Sequence, residues 1–289
     1  MAFKDTDKMQ KKNIYVRVLG GIGNQLFIYA FARSISLKYN CKIYFDVKTG
    51  FLKDNYKRTS KLSKYVSNMP IASQGSIVLF YFTKIFPKIS QLLFESKVLL
   101  EPDARELFDV SSEILDTKNA HLFIQGYFQS NLYFEEFATQ IKKDIKIDFL
   151  KTELVSNIAK KITSSQSVSI HVRRIAYDNL LEIKYYLDAI DFITKKIESP
   201  LFFVFSDDID WCKTNFSNKD NFVFIMHDID DEIADFWLMT LCKHHIIANS
   251  SFSWWGAWLS NNLDKKVVCP QKTDIGVALK IYPSEWILI

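Results

Sequence analysis

The feature that most constrains the fold is an order that repeats through the second half of the chain: a short apolar run, a polar cluster, then a stretch with helical spacing. SVSIHV (167–172) ends at Arg173 and Arg174, and LFFVFS (201–206) ends at Asp207 and Asp208. NFVFIMH (221–227) is followed by Asp228, HIIA (245–248) by Asn249, Ser250 and Ser251, and KVVC (266–269) by Pro270. Helical spacing predicts helices over 185–196, 231–243 and 252–261. Apolar runs without alternation suit strands buried on both faces, and strands interleaved with helices suit a parallel sheet. The expected class is therefore α/β, with a parallel sheet in the C-terminal half. In such sheets ligands bind outside the carboxyl ends of the strands. The four clusters HVRR, SDD, HD and NSS all fall at that edge.

The first half opens on one similar unit. NIYVRVL (13–19) reads as a strand, GGIGNQ (20–25) as a turn, 25–38 as a helix and CKIYFD (41–46) as a second strand. HLFIQGYF (121–128) reads as another strand and turn, and the remainder up to Phe149 reads as mainly helical. The division expected is 1–150 and 151–289, with the junction near 148–156.

Each polar cluster has two or more readings. In GGIGNQLF the glycines allow a tight turn and close backbone approach. The dinucleotide pattern G-x-G-x-x-G fails, because its third glycine would fall at Leu26, and no Walker lysine follows. Either Asn24 caps the helix, or Gly23, Asn24 and Gln25 face a ligand. Arg173 and Arg174 end a buried strand, where charge needs a partner. That partner is a neighbouring carboxylate or a nucleoside diphosphate, whose oxygens fit the guanidinium fork. In FSDDID, Asp207 or Asp208 caps a helix, meets a guanine base or, as a third option, holds a divalent metal. Asn249, Ser250 and Ser251 open a helix and suit an anion. The following Trp254, Trp255 and Trp258 read as core.

Bulk properties exclude several classes. Lys and Arg number 37 against 33 acids, a net +4 that does not predict nucleic-acid binding. The four cysteines, Cys41, Cys212, Cys242 and Cys269, form no C-x-x-C pair and are expected to be reduced core thiols of a cytosolic protein. The first 18 residues have lysines but no apolar segment of the kind a secretory signal carries. The most apolar stretch, Ile77 to Leu100, is interrupted by Lys84, Pro87, Lys88 and Lys97. It reads as a pair of core helices or as an amphipathic basic patch that touches a membrane surface.

GGIGNQLFIYAFARSIS, LFIQGYFQSNLYF, SVSIHVRR, FVFSDDIDWCK and IIANSSFSWWGAWLS together resemble the successive motifs of the bacterial α-1,2-fucosyltransferases, glycosyltransferase family 11. The resemblance implies a GT-B-like fold with two facing Rossmann-like domains, the N-terminal one on the acceptor side and the C-terminal one binding a GDP-sugar. It implies inverting transfer of L-fucose from GDP-fucose to the 2-hydroxyl of a galactose-containing glycan, with no cofactor and no obligatory metal. Close alternatives are another GDP-6-deoxyhexose such as colitose, or a non-catalytic GDP-sugar-binding relative. By the same resemblance Arg173 and Arg174 hold the diphosphate, while Ser250, Ser251 and Phe252, with Asn249 beside them, line the phosphate site. Asp207 meets guanine, and Asn24 projects toward the reacting centre. A lipid-linked acceptor at the inner face of the cytoplasmic membrane fits such a role. One departure stands out. The family reads H-[IV]-R-R-G-D-Y, and this chain has Ile175 and Ala176 in place of the glycine and aspartate. Asp178 follows two residues late and is expected to compensate in part. His171, Asp178 and the polar residues around Asn24 are the candidates for the general base.

Overall fold

The structure is a computed structural model. It describes residues 12–67, 69–102, 107–116, 118–175, 180–216, 220–227, 232–271 and 281–289. The chain forms two compact units, meeting in sequence at Lys146 and Ile147.

The first unit is built on a four-stranded sheet. Its strands are β1 (Asn13–Arg17), β2 (Lys42–Asp46), β3 (Ser96–Leu100) and β4 (His121–Gln125), in the order β2-β1-β4-β3 and all parallel. Ile14, Val16, Leu122 and Ile124 make the sheet's fully buried centre. Helix α1 (Ile22–Tyr39) packs on it with apolar residues buried almost all round. It starts three residues before the position expected from spacing. The turn ahead of it needs glycine: Gly20 has φ +77°, and a Cβ there would sit 2.8 Å from the Asn24 amide nitrogen.

The stretch from Ile77 to Leu100 corrects an expectation. Two helices do form, α2 (Gln74–Ile85) and α3 (Pro87–Phe94), but its last five residues form β3. The helices are core helices only in part: Phe80 packs on the sheet against Tyr15 and Phe123 and is their one buried apolar side chain. Their inner side is partly polar: beside Phe80, the hydroxyls of Thr83, Ser90 and Ser96 form a mutually hydrogen-bonded triangle, with Thr83 2.8 Å from Ser90 and 2.9 Å from Ser96. Apolar side chains such as Val78 and Leu92 point to solvent instead. Two short helices, α4 (Ser111–Leu115) and α5 (Ala138–Asp144), complete the unit. Asp144 ties α5 to α1, accepting from Arg33 Nε at 2.7 Å and Tyr29 Oη at 3.2 Å.

The second unit runs α6 (Glu153–Thr163), β5 (Gln166–Val172), α7 (Ile183–Lys196), β6 (Pro200–Ser206), α8 (Ile209–Asn215), β7 (Phe222–Phe224), α9 (Glu232–Leu241), β8 (His244–Ile246), α10 (Ser251–Leu259), β9 (Val267–Cys269) and β10 (Ile287–Leu288). The sheet order is β10-β9-β8-β5-β6-β7, every pair parallel. One face packs against α7 through Tyr186, Ala189 and Ile193, and the other against α6 and α9 through Val155, Ile162 and Leu238. Burial on both faces explains why the strands are continuous apolar runs. Counted from β5, the order is 3-2-1-4-5-6, the doubly wound arrangement that reverses direction between its first and fourth strands. That reversal lies between β5 and β8.

The three tryptophans of α10 are core, as expected: none is more than 8% exposed. Gly256 lets this helix approach α9, since a Cβ there would lie 3.1 Å from Met239 Cβ. All four cysteines are buried and unpaired.

Two buried histidines in the central strands make the unit sensitive to acid. His245 is fully buried, its Nδ1 2.8 Å from Ser169 Oγ, and burial holds its pKa well below the usual value. Burial and then the charge of Arg173 push His171 down to about 3. Because the folded values lie below the unfolded ones, the unfolded chain binds more protons from pH 6.5 down to about 3. Stability is therefore expected to fall as pH drops through 6.5 toward 5. Thermal melts of the wild type and of His245→Gln across that range check this. An equally steep loss in the variant would remove His245 as a cause.

Candidate active site

The topology gathers the polar clusters. At the reversal of the second sheet, β5 delivers Arg173 and Arg174, and β8 leads through Ala248 to Asn249 and Ser250. Beside them β6 delivers Asp207 and Asp208, because His171 pairs with Phe205 and Val172 with Ser206.

The two arginines are held by the two aspartates. Arg173 Nη1 lies 3.0 Å from Asp207 Oδ2. Asp207 also accepts from two backbone amides, Arg174 N at 2.8 Å and Ile175 N at 3.1 Å. Arg174 Nε lies 3.3 Å from Asp208 Oδ2, and its guanidinium stacks over the Trp211 ring at 4.1 Å. Asp208 is the N-cap of α8, accepting from Trp211 N at 3.1 Å. So Asp208, not Asp207, fills the capping role.

This geometry gives Asp207, expected to meet guanine, a task within the protein as well. Both of its oxygens are engaged by the turn after β5, so the carboxylate acts as a clamp on that turn. The arginines differ in what they have left. Arg174 is stacked and only 23% exposed, whereas Arg173 is 41% exposed with a single ion pair among the described residues. Ala176, Tyr177 and Asp178 lie outside the described residues, as does Asp228 of the HD cluster; His227 of that cluster pairs with Asp235 at 3.0 Å.

Across the reversal, Ser250 is the N-cap of α10 and its hydroxyl accepts from Phe252 N at 3.3 Å. Ser251 and Phe252 open the helix, half-buried like Asn249. The Phe252 ring sits 5.6 Å from that of His171. His171 is a poor general base. It is 6% exposed, and an imidazole whose pKa is lowered to about 3 accepts a proton weakly near neutrality. Among the described residues, no three His, Cys, Asp or Glu side chains cluster in a way that could hold a metal ion.

The first unit has its own reversal, between β1 and β4. There Arg17 Nη1 donates to Gln125 Oε1 at 2.8 Å, and Gln129 Nε2 donates to Asn24 Oδ1 at 2.7 Å. Asn24 is not the helix cap. Gly21 is, and Asn24 sits in the first turn with its side chain half-buried at this edge. Gly23 is buried in the same turn. Gln25, expected to face a ligand, is occupied within the unit: it is 1% exposed, its amide donates to Gly20 O and Thr59 O, and its carbonyl accepts from Lys61 N. It fastens the glycine turn to the following loop. Trp211 and Gln129, which orient Arg174 and Asn24, were not singled out from sequence. Both lie within the quoted motifs, and only the fold shows what they touch.

The family model for glycosyl transferase family 11 matches residues 13–289. The alpha-1,2-colitosyltransferase of Escherichia coli is 32% identical, over 94% of this chain and 92% of that one. Galactoside alpha-(1,2)-fucosyltransferase 1 of Homo sapiens is 26% identical, over 52% of this chain and 46% of that one. Among solved structures, a variant of FUT1 from Arabidopsis thaliana in complex with GDP superposes with a TM-score of 0.52, covering 92% of this chain and 74% of that one. At 12% identity that likeness is one of fold, and the fold is the GT-B-like α/β class with parallel sheets that the motifs implied. The chain belongs to glycosyl transferase family 11.

Proposed function

We propose that the chain transfers L-fucose from GDP-fucose to the 2-hydroxyl of a galactoside, with inversion at the anomeric carbon. The observation that carries this reading is the placement of Arg173 and the N-terminus of α10 after the neighbouring strands β5 and β8, where the strand order reverses. A strand-order reversal is where doubly wound sheets bind nucleotides. Glycosyl transfer passes through an oxocarbenium-like state, while negative charge develops on the departing diphosphate. A fixed guanidinium and helix N–H groups stabilise that charge most in the transition state. In this reading they supply the charge that a divalent cation would otherwise bring. Arg173 is the main phosphate hand, Arg174 sets the wall of the site through Trp211, and Asp207 positions both. Asn24, braced by Gln129, serves the acceptor side from the first unit. The acceptor is a surface polysaccharide precursor, lipid-linked at the inner face of the cytoplasmic membrane. No described helix is long and apolar enough to cross a membrane, so contact with such an acceptor would be peripheral.

Colitose is the second reading, favoured by the 32% identity over nearly the whole chain to a colitosyltransferase. Colitose lacks the 3-hydroxyl of fucose. A site that hydrogen-bonds that hydroxyl rejects the analogue strongly, whereas a site that merely accommodates it discriminates weakly. Purified protein incubated with each GDP-sugar, a galactoside acceptor and a chelator, with GDP release measured, separates the readings. GDP-fucose is expected to be preferred at least about tenfold in kcat/KM. Preference for GDP-colitose would replace the sugar assignment. Binding of both donors without release on a broad acceptor panel would indicate a non-catalytic relative.

A further inference from the structure

We infer that the outward face of α2 and α3 docks on an anionic lipid surface. Phe80 packs on the sheet against Tyr15 and Phe123, but many of the hairpin's other apolar side chains face outward. Its inner side meets β3 through the Thr83, Ser90 and Ser96 hydroxyls, and that polar seam orients the pair. Its outer side presents Val78, Ile85, Phe86, Ile89, Leu92 and Leu93, of which Leu92 is 82% exposed and Val78 66%. Scattered exposed apolar residues are ordinary, but a contiguous set on one helical hairpin marks an interaction surface.

Charge decides the occupant. Lys84 and Lys88 are exposed within this face, and neither has an acidic partner among the described residues. Residues 55–94 contain six lysines and arginines and no aspartate or glutamate; the next acid is Glu95, the C-cap of α3. A second copy of the chain is a poor partner. A two-fold contact through this face would gather Lys84 and Lys88 of both copies, four lysines, with Glu95 at the helix end the nearest acid in sequence on either. An anionic bilayer takes both components, the apolar side chains at the acyl boundary and the ammonium groups among phosphates. The helices are 12 and 8 residues long, about 18 and 12 Å, too short to span a bilayer, so they would lie in its interface. The inference extends the lipid-linked acceptor reading. Its test measures vesicle binding rather than sugar transfer, so either can fail alone.

The whole chain is sedimented with vesicles of phosphatidylcholine alone or of phosphatidylcholine with phosphatidylglycerol. Binding is expected to the second kind and to weaken as salt rises. The double variant Leu92→Ser/Leu93→Ser is expected to lose about 100-fold in partitioning, roughly tenfold for each buried leucine. Lys84→Gln/Lys88→Gln is expected to lose at least about tenfold on the anionic vesicles. Both variants alter exposed side chains, so unchanged melting temperatures and unchanged transfer to a soluble acceptor confirm that they are folded. Equal binding to both vesicle types, or wild-type binding by either variant, overturns the inference. So does self-association that Leu92→Ser/Leu93→Ser abolishes while no vesicle is bound.

Discussion

Arg173→Ala is expected to lower kcat by about 10²–10³, with a smaller change in KM. The side chain is the more exposed of the two arginines, and its one ion pair among the described residues, to Asp207, uses Nη1. Among the described residues no other acidic side chain pairs with its donor fork, which in the proposed reading faces the diphosphate. Its contribution should grow as charge develops on the leaving group, so the loss belongs mainly to kcat. Arg173→Lys should recover only part of it, because an ammonium cannot make the paired contact of a guanidinium. Arg174→Ala should behave differently. Removing it uncovers Trp211 and leaves Asp208 without its ion pair. Donor binding and melting temperature should then fall together. Steady-state kinetics with GDP-fucose, paired with thermal melts, distinguish the two. A kcat within about threefold of wild type in Arg173→Ala would remove Arg173 from the phosphate site.

Trp255→Ala is expected to destabilise the protein by about 3–5 kcal/mol. The ring is fully buried, with Trp254 and Trp258 each 5.1 Å away, centroid to centroid. Its removal leaves a large cavity under α10, the helix whose first residues carry Ser250 and Ser251. Urea unfolding followed by circular dichroism gives the size of the loss, and Trp255→Phe should show clearly less of it. A loss below about 1 kcal/mol would mean the surrounding side chains can collapse into the space. A weakened donor site should accompany the loss of stability, because the same helix serves both.

The second sheet was legible in the sequence because each central strand is buried on both faces. SVSIHV and LFFVFS could be read directly, and the clusters after them fell at the expected edge. The ends of the sheet were less legible: NFVFIMH suggested seven residues, and only Phe222–Phe224 pair. β3 was hidden because Ser96–Leu100 continues the apolar texture of the helix before it. The roles of Asp207 and Gln25 could not be read, for one shared reason. Each side chain is spent on a partner distant in sequence, Arg174 and Ile175 for the one, Thr59 and Lys61 for the other. Spacing along a strand or helix carries no trace of such bonds. Asp207 meets Arg173 because β5 and β6 are neighbours in register, which only the sheet order reveals.

The turn after β5 owes its shape to main-chain atoms. Asp207 grips the N–H of Ile175, a group present whatever side chain that residue bears, and Ile175 is not among the residues with left-handed backbone. Glycine is therefore not demanded there, and the isoleucine, 56% exposed, sits on the turn without disturbing the grip. The hold on the two arginines and the identity of the side chain that follows them are thus separable. Ile175 can therefore stand where the family motif has glycine while the arginines keep their aim.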